Sequence, residues 1–599
     1  MKRIAAKSAA VSILLCGGIA AGVLAACQRA AKAPSESTTV KEEESGKDAL
    51  TVVSFNKLIT EEFVETFCSK YPDIKLEMTS YGGMNGTGFA IHSLENGDIP
   101  DIYISTQNYG KELQEKYLLD LSNYDFVNNY SSVLLDSMDV NGSIYLLPSG
   151  YQLTGIYYNR TILEENGWEV PKSFEELVAL SQEIEAAGYK TMGHGMSLDG
   201  YPFNYFFNIG NTVYFGTPEG TEWKEKFLKG EETASENSQL RKTAEYFNRW
   251  VEHGFITTEH MDVQDFYEGK CVFFMCLGLN KYESTVENGK IFEFGNMPWL
   301  SEDGSNNMLT RTVSRYIGIN KSLAEHGNEQ KLEDALEFMD YISTAEGQRA
   351  FMTNSTQYMP SLNEGSIPQD SPYLEIEEFV NKGRTVPLVY VGWEKLLIPI
   401  AQEIKELIKG NIDVDTMLEG FDKINYDTLT GSSEDIFAVA EETLTIEKTA
   451  ELVAIAEGKA ADADCAMISL NEYHGNDNCN EQGIAWYIYK GSIDTDHINM
   501  FRPRSSAISV LQLTGEEIKE MQKAGFDQDE NGNPYDYLLF TKNNKELEAD
   551  SVYRLAISSG ELPKNLISDA REIQMPLAEA IKIYLKELDT VRADRICWE

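Results

Sequence analysis

Among the residues able to do chemistry, the eight cysteines come first. Cys27 closes the run Leu24-Ala25-Ala26-Cys27, which has the form of a lipobox. The small residues suit a signal peptidase, and the Cys27 thiol is the group to be acylated. A charged start, Lys2 and Arg3, and an apolar run from Ala9 to Ala26 precede it. Cys16 would leave with that segment. Cys68, Cys271, Cys276, Cys465, Cys479 and Cys597 are scattered without a CxxC pair, so no zinc framework is implied. Cys465 and Cys479 could pair or stay as free buried thiols. Asp527-Gln-Asp-Glu-Asn-Gly532 opens like a calcium loop, but Leu538 stands where a bidentate Glu belongs and Pro534 interrupts the run. A turn is expected there. No Ser/His/Asp triad and no paired-carboxylate spacing stands out in the polar loops. The expectation is a protein without metal or cofactor that binds rather than transforms.

The elements that must position a binding surface follow from length and pattern. A chain of 599 residues is too long for one core, and roughly three or four domain-sized units are expected. The formal charge is −45, from 51 basic and 96 acidic residues, which argues against nucleic-acid backbone binding. Aromatic content is 11%, with 31 Tyr and 7 Trp. Residues 1–27 read as a lipoprotein signal peptide and 28–49, rich in Ser, Thr, Glu and Lys, as a disordered tether. Strands are expected at Leu50–Phe55, Ile74–Met78 and Gly97–Ser105, and helices at Glu61–Tyr71 and Lys331–Ile342. The alternation of strand and helix gives an α/β class with parallel sheets, whose ligands gather beyond the carboxyl ends of the strands.

The stretch from Asn141 to Lys190 carries the clearest organisation. Asn141-Gly142 is a turn, Gly155–Tyr158 a strand, and Ser173 with Glu176 a capping box behind Pro171. Gly142-Ser-Ile-Tyr145-Leu-Leu-Pro148, Tyr157-Tyr-Asn-Arg160 and Gly167-Trp-Glu-Val-Pro-Lys-Ser-Phe-Glu-Glu-Leu177 together resemble the central signature of the family 1 extracellular solute-binding proteins of ABC importers. Gly97-Asp-Ile-Pro-Asp101, Phe266 to Gly278, Ser343 to Gln348, Tyr358 to Ser361 and Val389 to Trp393 are similar to further motifs of that family, in order. The resemblance covers roughly residues 50–432. It implies a two-lobed periplasmic-binding-protein (class II) fold that closes on a carbohydrate and docks with a membrane permease. A sugar ring has an apolar C–H face and a rim of hydroxyls, which suits aromatic faces beside amides and carboxylates. The loops that the resemblance places around the ligand offer Tyr81, Gln107, Asn108, Tyr151, Gln152, Asp199, Tyr201, Asn204 and Trp393. Trp393, ahead of a helix expected at Pro399–Lys409, is the stacking residue that the resemblance implies. Leu279 and Asn280 stand where many members carry an aromatic.

Residues 433–440 read as a linker and 441–599 as a second, smaller α/β module. A helix is expected from Thr443 to Glu457, stopped by Gly458. Ala463-Asp-Cys-Ala466, Gly491-Ser-Ile493, Leu513-Thr-Gly-Glu-Glu-Ile518 and Tyr553 to Gly560 resemble the 5′-nucleotidase carboxy-terminal domain. Ala485 replaces that family's Arg, while Arg504 and Ser506 stand in place of Phe and Asn. The seven histidines, His92, His194, His253, His260, His326, His474 and His497, fall in neither metallophosphatase motif of that family. The module is therefore expected to be non-catalytic. The sequence thus points to a lipid-anchored substrate-binding protein on the extracellular face of the membrane, with an ABC permease and a small molecule, a sugar, as partners and no nucleic acid. A nucleoside- or nucleotide-binding lipoprotein and a secreted 5′-nucleotidase-type hydrolase are the alternatives. Whether the two modules touch is left open.

Overall fold

The computed structural model describes residues 49–598 apart from 56–60, 82–85, 196–199, 277–284, 288–289, 352–358, 364–375, 390–391, 431–435, 471–482, 503–505 and 526–536. Cys27, Cys479, Asp199, Leu279, Asn280, Arg504 and most of the 527–538 loop lie outside these residues, as do the signal and tether.

The first lobe is built on a five-stranded sheet ordered Leu76–Tyr81, Leu50–Phe55, Ile102–Ser105, Tyr316–Ile319 and Leu147–Pro148. The first three strands are parallel, and Tyr316–Ile319 runs antiparallel beside Ile102–Ser105. Its core gathers Phe63, Phe67, Phe338, Tyr341 and Phe351 from helices Glu61–Lys70, Glu329–Ile342 and Ala345–Phe351 against Leu50, Val52 and Ile102. Asn141 at φ 56° and Gly142 at φ 87° turn a short hairpin whose strands are Asp139–Val140 and Ser143–Ile144, as Asn-Gly favours.

The second lobe holds a four-stranded sheet ordered Phe294–Met297, Ile156–Asn159, Cys271–Met275 and Lys190–His194. Strand Cys271–Met275 is buried throughout, which explains its unbroken apolar run. The helix expected after Ser173 runs Phe174–Ala186, with Ser173 Oγ accepting from Glu176 N at 3.1 Å, while the Glu176 carboxylate accepts from Lys172 N at 2.7 Å and so leaves the capping box half made. Helix Glu394–Ile408 starts five residues ahead of the expected Pro399, which lies inside it. Proline was read as a first-turn residue, but the apolar face of Leu396, Ile400, Ala401, Ile404 and Leu407 packs into this lobe's core and carries the helix across it.

The two lobes are joined by a three-stranded sheet of Thr385–Pro387, Leu309–Val313 and Tyr151–Thr154. Gly155 separates Tyr151–Thr154 from Ile156–Asn159. A Cβ there would come within 2.1 Å of the Met297 carbonyl oxygen, so only glycine lets the chain pass between lobes at this point.

The carboxy-terminal segment forms a five-stranded sheet ordered Tyr537–Thr541, Cys465–Ser469, Val552–Ser558, Ala507–Thr514 and Arg571–Pro576, and a three-stranded sheet of Gly491–Ile493, Ala438–Ala440 and Thr590–Val591. Residues 438–440, read as linker, are thus a strand that pairs with the end of the chain. Helix Ile446–Ala461 overruns Gly458 and stops at Asp462, a left-handed residue. Gly458 serves close packing instead of capping: a Cβ would lie 2.0 Å from the Trp598 indole. Cys465 is a free, buried cysteine, and burial pushes its thiol up to about 12.

Inside this segment Arg502 pairs with Glu561, both side chains within 1% of full burial. Glu561 also accepts from Ser469 N at 2.5 Å. Glu457 is fully buried nearby with neither carboxylate oxygen hydrogen-bonded. Burial first, then Glu561, holds its carboxyl well above the usual range, against the pull of Arg502.

The segment has hydrophobic cores of its own and also packs against the first lobe. Ala485, Trp486, Tyr489 and Met500 belong to the core of the first lobe. Trp486 packs edge-on to Phe89 with ring centroids 4.7 Å apart, and Ser93 and Tyr489 hydroxyls meet at 3.0 Å. Tyr487 donates to Asp98, and His92 and His497 rings lie 4.1 Å apart.

Candidate functional site

The junction of the lobes is where the carboxyl end of Ile102–Ser105 meets the connecting strands, and it positions the expected residues unequally. Gln107 follows that strand, with its backbone N–H donating to Ser105 Oγ at 3.1 Å. Its Oε1 is buried without a hydrogen-bond partner. Asn108 is spent on the loop itself: it donates to Ser137 O at 2.8 Å and accepts from Gln114 Nε2 at 2.7 Å. Tyr151 opens a connecting strand and exchanges backbone hydrogen bonds with Met359, at 3.0 and 2.6 Å. Its ring sits in a small cluster with Leu153, Leu309 and Val313, and burial pushes its hydroxyl up to about 12.

In the second lobe, Tyr201 is half-buried and stacks on Tyr205 with centroids 5.7 Å apart. Burial raises its hydroxyl. Asn204 is buried one turn further and donates to Gly200 O at 3.1 Å. Asp199, the carboxylate expected beside them, lies outside the described residues.

Two expectations are corrected. Tyr81 is 2% exposed: its hydroxyl donates to Met500 O at 2.7 Å, and its ring stacks on Phe89 at 4.5 Å. The docked carboxy-terminal segment therefore takes the tyrosine that a sugar was expected to meet. Trp393 is also 2% exposed. Phe227 lies nearly parallel on it, 15° and 5.5 Å away, and Phe203 and Phe207 flank it at 5.8 and 5.0 Å. It closes the second lobe's core, with no ring face left for a ligand.

The residues that the sequence reading missed are Arg311 and Tyr316. Arg311 projects from the connecting strand Leu309–Val313, 7% exposed, and donates to Thr385 Oγ1 at 3.0 Å. Burial lowers its pKa, and Tyr151 and Tyr316 are the titratable neighbours that pull it back. Tyr316 pairs with Ser105 across the sheet, and burial raises its hydroxyl to about 12. Neither residue lies in a recognisable motif. The only available signal was a lone cation inside the strand pattern Leu-Thr-Arg-Thr-Val.

Taken together, the junction offers an amide oxygen, two tyrosine hydroxyls and a guanidinium on elements of the first lobe and the crossing strands. That is a set for reversible, polar capture. Among the described residues no group of His, Cys, Asp and Glu is placed to hold a metal ion, and no helix is long and apolar enough to cross a membrane.

Known proteins agree with this architecture. A multiple sugar-binding protein of Streptococcus mutans is 27% identical over 231 residues, 35% of this chain and 52% of the relative. An uncharacterized ABC transporter extracellular-binding protein of Pyrococcus horikoshii is 28% identical over 127 residues, 21% of this chain and 30% of the relative. The match thus spans about half the length of the first curated relative and less of the second. The structure of a family 1 extracellular solute-binding protein from Bifidobacterium longum subsp. infantis superposes with a TM-score of 0.50 at 17% identity, covering 64% of this chain and all of that one. At that identity the likeness speaks for the fold alone. A family model described as bacterial extracellular solute-binding protein matches residues 62–371, just over half of the chain. The protein belongs to the bacterial extracellular solute-binding proteins.

Proposed function

We propose that this protein is the capturing subunit of an ABC importer for a carbohydrate, which it encloses between its two lobes and delivers to a membrane permease. The observation that carries the reading is the lobe junction itself, where the crossing strands set the Arg311 guanidinium near Tyr151 and Tyr316. The resemblance to a multiple sugar-binding protein supports the ligand class. Closure follows if the ligand binds the closed form more tightly than the open one. A lipid on Cys27 and the 28–49 tether would hold the protein at the outer face of the membrane. The carboxy-terminal segment, 5′-nucleotidase-like in its motifs, acts here as a non-catalytic part that stiffens the first lobe.

A thermal-shift panel on the chain from Asp48 onward tests the reading, with mono- and oligosaccharides beside nucleosides, nucleotides and calcium. A rise in melting temperature with one glycan class supports it. A rise with nucleosides or nucleotides alone would replace it with the nucleotide-binding alternative.

A further inference from the structure

Among the described residues two arginines are buried, and they are treated differently. Arg502, its side chain 1% exposed, has Glu561 as its counter-ion. Arg311 is 7% exposed, and the one hydrogen bond its side chain makes among the described residues is to the hydroxyl of Thr385, at 3.0 Å. Among the described residues no carboxylate faces it, and the only titratable side chains near enough to feel its charge are Tyr151 and Tyr316. The chain has 96 acidic residues against 51 basic ones, so a counter-ion was not scarce. A guanidinium carries five N–H donors in a fork that matches a carboxylate. Holding a guanidinium largely out of water without a facing anion is costly, a cost that a bound anion would offset. The hydroxyls of Tyr151 and Tyr316 make no hydrogen bond to the protein among the described residues, so three polar groups at one place are left open.

We infer that the lobe junction takes a carbohydrate bearing a carboxylate, and that Arg311 receives that group with the Tyr151 and Tyr316 hydroxyls beside it. The inference rests on the carbohydrate reading above and sharpens it from sugars in general to acidic ones. Uronic acids and sugar phosphates share the anionic character. A guanidinium forks onto either, and the arms of the test separate them.

The test is calorimetric titration of the full-length chain, purified in detergent. The probes are uronic-acid oligosaccharides of gluco, galacto and manno configuration, each beside its neutral counterpart, with hexose 6-phosphates as a third arm. One acidic member is expected to bind at least tenfold tighter than its neutral counterpart. Arg311→Met is expected to abolish that preference and Arg311→Lys to retain part of it, with far-UV circular dichroism unchanged. Should Arg311→Met fail to fold, the wild-type preference and its weakening in Arg311→Lys still decide. Equal binding of acidic and neutral members would overturn the inference and leave the capture reading intact. Tighter binding of phosphates than of uronates would overturn the carboxylate assignment. Binding of no carbohydrate in any arm would overturn both.

Discussion

Trp486→Ala is the most informative single change, because it asks whether the carboxy-terminal segment is part of the first lobe's core. Trp486 is 7% exposed. It lies edge-on to Phe89 at 4.7 Å and to Tyr81 at 6.0 Å, stacks on Tyr487 at 4.9 Å, and donates from its indole to the Tyr489 hydroxyl at 3.1 Å. A buried Trp removes roughly 150–250 Å² from water, and truncation of such a residue costs about 3–5 kcal/mol. The loss falls on the contact between segment and lobe, so it shows as local opening of helix Gly86–Asn96 before the remainder of the chain unfolds. Hydrogen exchange read by mass spectrometry on peptides covering Phe89–Asn96 and Ile484–Phe501 measures this directly. A chain with several cores does not unfold in two states, so the local reading is preferred to a single melting curve. Faster exchange is expected in both peptides together, with strand Cys271–Met275 unaffected. A destabilisation below about 1 kcal/mol with unchanged exchange would refute the reasoning, because the indole would then fill no shared core.

Trp393→Ala is expected to lower stability by about 3–5 kcal/mol through the second lobe's core, while any ligand affinity measured well below the variant's melting temperature stays within a few-fold of wild type. Glu457→Gln tests the buried acid. Its carboxyl is raised above the ordinary 4.5, so it is neutral in the fold and ionised in the unfolded chain; its contribution is complete below the unfolded pKa and is lost as pH rises above it. The stability of Glu457→Gln relative to wild type should therefore climb from near pH 5 upward, by about 1.4 kcal/mol per pH unit while wild-type Glu457 stays protonated, and parallel urea midpoints across pH 5–8 check it. Arg502→Met strands the buried Glu561 and should cost about 3–5 kcal/mol, whereas Arg502→Met with Glu561→Leu should recover most of that loss in the same urea assay. Gly155→Ala forces a methyl onto the Met297 carbonyl and should lower the melting temperature by several degrees, since the two strands it separates are each fixed in a sheet.

What the sequence made legible was local. The Ser173 N-cap, Asn141-Gly142 and the alternation of strands and helices act over a few residues and recur in the structure, although Glu176 accepts from Lys172 N instead of completing the capping box. What it hid depends on partners far away in the chain. Gly458 has the composition of a helix stop, yet its role is set by Trp598, 140 positions on. Pro399 reads as a helix start, yet the burial of Leu396 and Ile400 extends the helix ahead of it. Tyr81 and Trp393 were chosen as aromatic residues near motif loops. Nothing in their neighbourhood along the chain reveals that Met500 and Phe227 occupy them. Arg311 was passed over for the converse reason: among the described residues no carboxylate pairs with it, a feature no spacing in the sequence records.

Small-angle X-ray scattering of the chain from Asp48 onward, with and without a saturating amount of the glycan that shifts its melting, tests the central claim most directly. Capture between two lobes predicts a smaller radius of gyration in the bound state, with the reduction lost in a variant that no longer binds. An unchanged scattering profile at saturation would contradict closure on the ligand and place any bound sugar outside the lobe junction.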